Sequence, residues 1–381
     1  MLTMRQRKAL SYEVRKRYQR SRKEQKGEIL DEFIKTTGYN RSYARWVLGS
    51  LKKQGRKKKY PARKRTYDAS VFYPLRTLWI TADYICGTRL RPFLPELIRV
   101  MEKNKELKLK EEIKKKFQRI GSATIDRMLS ATKKRYQLKG RATTKPGTLL
   151  RGTIAVRTFD DWDDKRPGYF ETDLVAFCGE SVRGEYINGL NMTDVATSWV
   201  GLEAVMGKGQ QRVHDAIDRI RLRLLFAMLG IDPDNGTEFI NWHLKTYCET
   251  HAIMLTRIMP YKKNDNCYVE QKNYTVLRRF LGYARFDTEK QLTIMKEALP
   301  LIEDYVNFFQ PVLKLKEKTR IGSKTKKRYH TAKTPYQRLL ESGILNEEQK
   351  EKLHAYYETL NPADLKRRIN KLLQKLNNTL R

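Results

Sequence analysis

The chain has 381 residues, with 79 Lys/Arg against 43 Asp/Glu and a formal net charge of +36 at pH 7. Hydrophobic residues make up 40% and aromatics 10%, so a real core is affordable, general disorder is excluded, and the length allows two to four domains. A fold does not need such a positive excess and self-repulsion opposes it, so it points to a polyanionic partner, nucleic acid first. A membrane surface is the rival, but no amphipathic anchor or lipidation site is seen, and no apolar run approaches the ~20 residues that a span requires. The opening, Met1 to Lys8, lacks the apolar core of a signal peptide. Four scattered cysteines (Cys86, Cys178, Cys248, Cys267) form no CxxC pair, which suits thiols in a reducing, cytoplasmic compartment.

Residues 1–66 read as a helix-turn-helix DNA-binding domain with a basic arm. Residues 1–70 hold 22 Lys/Arg and 6 Asp/Glu. Ile29, Leu30, Phe33 and Ile34 form one apolar stripe. Gly38 supplies a turn with freedom for positive φ, and Asn40 is a helix N-cap. Ala44, Val47 and Leu48 then face inward, which leaves Arg41, Ser42 and Arg45 outward where a recognition helix meets DNA. An ordinary helical hairpin is the alternative. The run containing Lys57, Lys58, Lys59, Arg63, Lys64 and Arg65 is either an arm along the DNA backbone or a solvated linker.

Residues 67–136 form a second helical unit, with Leu94, Leu97, Ile98 and Met101 on one helix and Ile125, Met128 and Leu129 on another. It is a second candidate for DNA contact. Gly140, Pro146, Gly147 and Gly152 mark residues 137–165 as a linker.

From 166 to 300 the pattern turns α/β. Strands are expected over Tyr169–Phe177, Glu185–Leu190 and Ser198–Val205, then a helix over Gln210–Leu225. A buried strand is read from Leu224 through Leu229 to Asp234, then a helix over Glu238–His251, a short strand over Ile253–Arg257 and a helix carrying Glu270. Three hairpin-ordered strands, then helix, strand, helix, strand and helix, is the order of a ribonuclease H-like mixed sheet. Residues 301–381 return to basic sequence. Lys314–Lys333 suits a small β structure or a DNA-binding loop. Asn361-Pro362-Ala363-Asp364 opens a final helix whose Leu365, Ile369, Leu372, Leu373 and Leu376 stripe packs on the body or on a second subunit.

Three carboxylates stand out in this basic chain. Asp173 lies mid-strand, where a charge is costly unless paired or metal-bound. Asp234 ends its strand before an Asn235-Gly236 turn, and Glu270 follows after 35 intervening residues on a later helix. Oxygen ligands of this kind hold Mg²⁺, and metal ions support phosphoryl transfer on DNA. Asp232, Asp194 and Asp265 rank below these three as turn or supporting groups, and Asp234 ranks above both Asp232 and Glu238.

The run Asp234-Asn235-Gly236-Thr237-Glu238-Phe239, with Glu270 downstream and Asp173 on the first strand, resembles the DDE transposase and retroviral integrase superfamily. Pro260 to Asn273 looks like the third-acid motif of bacterial insertion-sequence transposases, and the layout from helix-turn-helix to Lys333-Thr334-Pro335-Tyr336-Gln337-Arg338 is similar too. The resemblance implies that Asp173, Asp234 and Glu270 are catalytic and hold two Mg²⁺ or Mn²⁺ ions. It further implies cleavage at the ends of a DNA element, attack of the freed 3′-OH on target DNA, and a homodimer or higher multimer on paired ends of double-stranded DNA. The setting it implies is the bacterial cytoplasm, nucleoid-associated when DNA is bound, with no membrane partner. Retroviral integrases carry lysines one and two turns after the glutamate. Here those places are Tyr274 and Leu277, so Lys263, Lys272 and Arg278 (with Arg279 beside it) are the expected DNA contacts instead. The other readings are a ribonuclease H-like nuclease or resolvase that cuts without joining, and a DNA-binding regulator with an inactive core.

Overall fold

The computed structural model describes residues 2–49, 66–135, 166–233, 238–239, 242–256, 267–321 and 324–380. It divides into two compact units, Met1–Thr66 and Tyr67–Arg381.

In the first unit, helices α1 (Met4–Arg20), α2 (Lys23–Thr37) and α3 (Arg41–Gly49) enclose Leu30, Phe33, Ala44, Val47 and Leu48. Gly38 ends α2 in the left-handed region at φ 72°, and its N–H returns to the Ile34 carbonyl. Asn40 caps α3 by accepting the Tyr43 N–H at 2.7 Å. These local signals set the turn between α2 and α3, while Arg15 ties α1 to the end of α3 through the Val47 carbonyl.

The second unit begins with α4 (Ala69–Thr81), α5 (Gly87–Lys103), α6 (Glu111–Arg119) and α7 (Ser122–Arg135). Their apolar faces join one continuous core with the sheet and the C-terminal helices. The sheet consists of β1 (Tyr169–Ala176), β2 (Ile187–Asp194), β3 (Val200–Met206), β4 (Gly230–Pro233) and β5 (Met254–Leu255), in the order β3-β2-β1-β4-β5. The first three strands are antiparallel, and β4 and β5 add in parallel to β1. A mixed sheet whose first three strands are joined as hairpins is what the sequence leads one to expect.

Helices α8 (Gln210–Arg223) and α9 (Trp242–Thr250) complete the β3–β4 and β4–β5 crossovers. Next come α10 (Cys267–Lys272), a π-helical turn (Asn273–Arg278), α11 (Arg279–Leu281) and α12 (Glu289–Phe309). The tail comprises a hairpin of β6 (Leu315–Ile321) and β7 (Lys324–Tyr329), then α13 (Pro335–Glu341), α14 (Glu347–Thr359) and α15 (Pro362–Asn377). The central α/β core therefore lies between helical segments on either side in sequence. Among the described residues no helix is long and apolar enough to cross a membrane.

One expected element is corrected. The run from Leu224 to Leu229 is not a strand, and β4 begins only at Gly230. Phe226 and Met228 are buried while Leu225 is 36% exposed. Phe226 stacks on Phe170 and meets Trp199 edge-on. The run thus buries its side chains as an irregular segment, and pairing starts where the Leu229 and Gly230 N–H groups reach the Gly168 carbonyl.

The C-terminal stripe packs on the body of the same chain. Leu365, Ile369 and Leu376 are buried. Around α15, Arg367 pairs with Glu106 and Lys366 with Asp83. α12 runs unbroken across position 300, with Pro300 inside it.

Candidate active site

Acids of β1 and β4 share a sheet face on which α10, the helix bearing Glu270, packs. In a strand, residues two apart share a face, so Glu171 and Asp173 point the same way from β1. Glu171 lies opposite Asp232 of β4 and Thr193 of β2, and Asp173 lies opposite Asn191. All five therefore occupy one face of the sheet. α10 and the π-helical turn pack on this face: Asn191 donates to the Val269 carbonyl at 3.3 Å, and Leu277 approaches Gly189.

Two side-chain links hold the Glu270 helix in place. Glu171 Oε2 accepts the backbone N–H groups of Tyr268 and Val269, each at 2.9 Å, and so satisfies two donors of the first turn. Asn273, at the start of the π turn, donates from Nδ2 to Asp173 Oδ2 at 2.6 Å. Its own Oδ1 accepts from Asn191 at 2.8 Å, and Asn191 Oδ1 accepts from Thr193. A polar chain thus runs from β2 through the helix to Asp173. The π turn widens the helix where Asn273 meets Asp173, a local irregularity common at functional sites.

The electrostatics are those of crowded carboxylates. Burial pushes Glu171 up to about 8. The Val269 and Tyr268 N–H groups oppose that rise, and the charges of Asp232 and Glu270 add to it. Glu171 is 1% exposed, and its Oε1 is buried with no hydrogen-bond partner. Asp232 is 9% exposed and accepts from the Thr256 hydroxyl at 3.0 Å. Asp173 is half-buried and Glu270 is exposed. An oxygen-only donor set with an unsatisfied buried carboxylate oxygen fits a hard divalent cation. Among the described residues, no group of three His, Cys, Asp or Glu side chains is placed to hold a metal ion. Asp234 follows β4 in sequence but lies outside the described residues, as does Asp265.

The remaining expected residues fall in different places. Arg41, Ser42 and Arg45 are exposed on α3 in the first unit, and Arg41 pairs with Asp31. On the same helix Tyr43 and Trp46 are exposed and stacked at 5.7 Å. Lys57, Lys58, Lys59, Arg63, Lys64, Arg65 and Lys263 lie outside the described residues.

Lys272 is 5% exposed and turned into the interior, where burial, with Arg89 and Lys314 nearby, lowers its amine to about 7. Arg278 is half-buried, donating to the Ala176 and Gly282 carbonyls between the Phe177 and Tyr283 rings. Asp194 is fully buried and satisfied by Gly168 and Thr197, a structural group at its hairpin. Glu238 pairs with Lys208.

Glu171 was missed by sequence reasoning, although it lies two residues from Asp173 on the same strand face. Asn191 carries no sequence signal of its own, because its role depends on a helix that arrives 82 residues later.

No family model matches the chain. Among curated proteins, the uncharacterized protein y4rM of Sinorhizobium fredii (strain NBRC 101917 / NGR234) is 34% identical over 340 residues, which cover 88% of this chain and 96% of that protein. Among solved structures, the catalytic core domain of BIV integrase aligns with a TM-score of 0.32 and 18% identity, over 46% of this chain and 95% of that one. The HTLV-2 integrase catalytic core domain, solved in complex with magnesium, aligns with a TM-score of 0.29 and 16% identity, over 38% of this chain and 90% of that one.

Proposed function

The chain belongs to one family with the uncharacterized protein y4rM, and we propose that it is a metal-dependent DNA transposase, a polynucleotidyl transferase that cleaves element ends and joins the 3′-OH to target DNA. The observation that carries this reading is the convergence of Asp173, on β1, with the α10 helix that bears Glu270, beside the β4 strand that leads into Asp234. Asp173, Asp234 and Glu270 would hold Mg²⁺ or Mn²⁺, two ions per site.

Bound metal supplies a lowered pKa for the attacking water or hydroxyl and neutralises charge on the leaving oxygen. The chain's own residues position these acids. Asn273 fixes the Asp173 carboxylate, and Glu171 seats the first turn of α10, so the Glu270 backbone is anchored to the strand that carries Asp173. Placement within fractions of an ångström matters because misplaced reacting groups lose orders of magnitude in rate. The excess of +36 supplies the attraction that brings DNA to the chain. The exposed α3 face offers Arg41, Ser42 and Arg45 for recognition of an element end, and a homodimer or higher multimer would pair two ends.

The test is incubation of the full chain with Mg²⁺, a labelled duplex from the DNA flanking its gene, and a supercoiled target plasmid. Joined products with the label in the plasmid support transposition. Cleavage without joining would assign a nuclease, and binding without cleavage a regulator.

A further inference from the structure

We propose that the β6–β7 hairpin and the cleft at its foot form a second duplex-DNA surface, in which one face of the ribbon grips the phosphate backbone beside the Glu270 helix. This rests on the reading of the chain as a DNA enzyme and adds where the DNA runs.

The hairpin has no core of its own. Residues 315–320 and 325–329 are exposed, so both faces of the ribbon meet solvent. An isolated two-stranded ribbon is marginal in water. This one is fixed at its base by the Val312–Lys333 bridge, the His330 N–H on the Lys314 carbonyl and the Lys314 amine on the Val195 and Ala196 carbonyls. Its sequence from 315 to 329 carries seven Lys/Arg and one acid, Glu317.

Register decides how those charges are distributed. Glu317 lies opposite Arg328 and pairs with it at 3.4 Å, on the same face as Thr319 and Lys326. The other face carries Lys318 directly opposite Lys327, with Arg320 and Thr325 as the next pair. It holds no carboxylate. Like charges directly across a ladder are destabilising, and an anion between them reverses the sign. The face is thus built at a cost that a phosphate would remove.

The same face looks into a cleft of about 830 Å³. Lys327, Tyr329 and His330 line one side, while Tyr268 and Gln271, which flank Glu270 on α10, lie on another. Lys314 lies 5.3 Å from the Tyr268 ring centroid. The foot of the cation face, at Lys327, and two residues of the acid-bearing helix therefore line one groove. A two-stranded ribbon also matches the ~12 Å width of a DNA major groove, whose phosphates flank it on both sides.

The test is anisotropy titration of a fluorescein-labelled duplex of mixed sequence with the full chain in EDTA, over a range of salt. Lys318→Gln with Lys327→Gln removes the opposed pair from exposed positions. Lys326→Gln with Arg328→Gln removes equal charge from the other face and serves as control. The first double variant should lower the slope of log affinity against log salt by about two, at ~0.9 per lost phosphate contact, and the control by clearly less. Equal effects of the two variants, no binding by the native chain, or a preference for anionic vesicles over duplex would overturn the proposal. Because no chemistry occurs in EDTA, this outcome is separate from that of the cleavage test. Cleavage with an unaffected ribbon variant removes only the ribbon surface, and ribbon-dependent binding without cleavage removes only the enzyme reading.

Discussion

Replacing Glu171 with Ala tests the positioning of the candidate site most sharply. The carboxylate accepts two N–H groups at 2.9 Å, those of Tyr268 and of the fully buried Val269. Leaving a buried donor unmatched costs about 1–3 kcal/mol. Val269 is one such donor and the half-buried Tyr268, which lines an open cleft, adds less, so a loss of about 2–4 kcal/mol is expected. Gln keeps a carbonyl acceptor at the same reach and should stay within about 1 kcal/mol of the native chain. The same change frees the first turn of the Glu270 helix, so the Ala variant should lose on the order of 10²-fold in metal-dependent cleavage. DNA affinity should be nearly unchanged. Urea denaturation and single-turnover cleavage, run on the native, Ala and Gln proteins, read both effects. An Ala variant as stable and active as the native chain, or a Gln variant as damaged as Ala, would refute the reasoning.

Two further predictions concern groups away from the acids. Glu303 accepts the Leu202 N–H at 2.9 Å and an Arg223 N–H at 3.3 Å, and burial raises it from 4.5 to about 7. Its contribution to stability is therefore complete below about pH 4.5 and lost as pH rises through 7, up to about 3 kcal/mol at ~1.36 kcal/mol per unit. Denaturation midpoints should fall between pH 5 and 8 in the native chain and less in Glu303→Gln; an unchanged slope would place the titrating group elsewhere. Lys272, lowered from 10.5 to about 7, contributes stability above its ordinary value that is lost as pH falls toward 7. Lys272→Met should therefore stabilise the chain at pH 7, by up to about 4 kcal/mol, and leave the duplex affinity unchanged. A weakened affinity would show that the amine reaches DNA.

What could be read in advance was local or periodic. The turn between α2 and α3 rests on Gly38 and Asn40, each of which acts within four residues of itself. The first strand announced itself by composition, and Asp173 by its misplaced charge within it. The α15 stripe repeated at helical spacing, although the choice of the body over a second subunit needed the packing against α4, α5 and α12. The Leu224–Leu229 run misled because an aperiodic apolar stretch looks alike as strand or as buried loop. The sequence places Lys272 among the expected DNA contacts because it gives the helix but not its facing side. That side is set by α10 resting on β1 and β2 through Glu171 and Asn191, which turns Lys272 inward. Glu171 and Asn191 act across 97 and 82 residues, distances at which no local pattern survives.

The central claim is that Asp173, Asp234 and Glu270 form the metal-holding set, with Asp232 in support through Thr256. Single-turnover cleavage of a flanking-DNA duplex in Mg²⁺ by Asp173→Asn, Asp234→Asn, Glu270→Gln and Asp232→Asn tests it directly. The first three should lose roughly 10³-fold or more, since each would remove a ligand from the ions, and Asp232→Asn should remain within about tenfold. Full cleavage by Asp173→Asn, or a loss in Asp232→Asn that Asp234→Asn does not share, would contradict it.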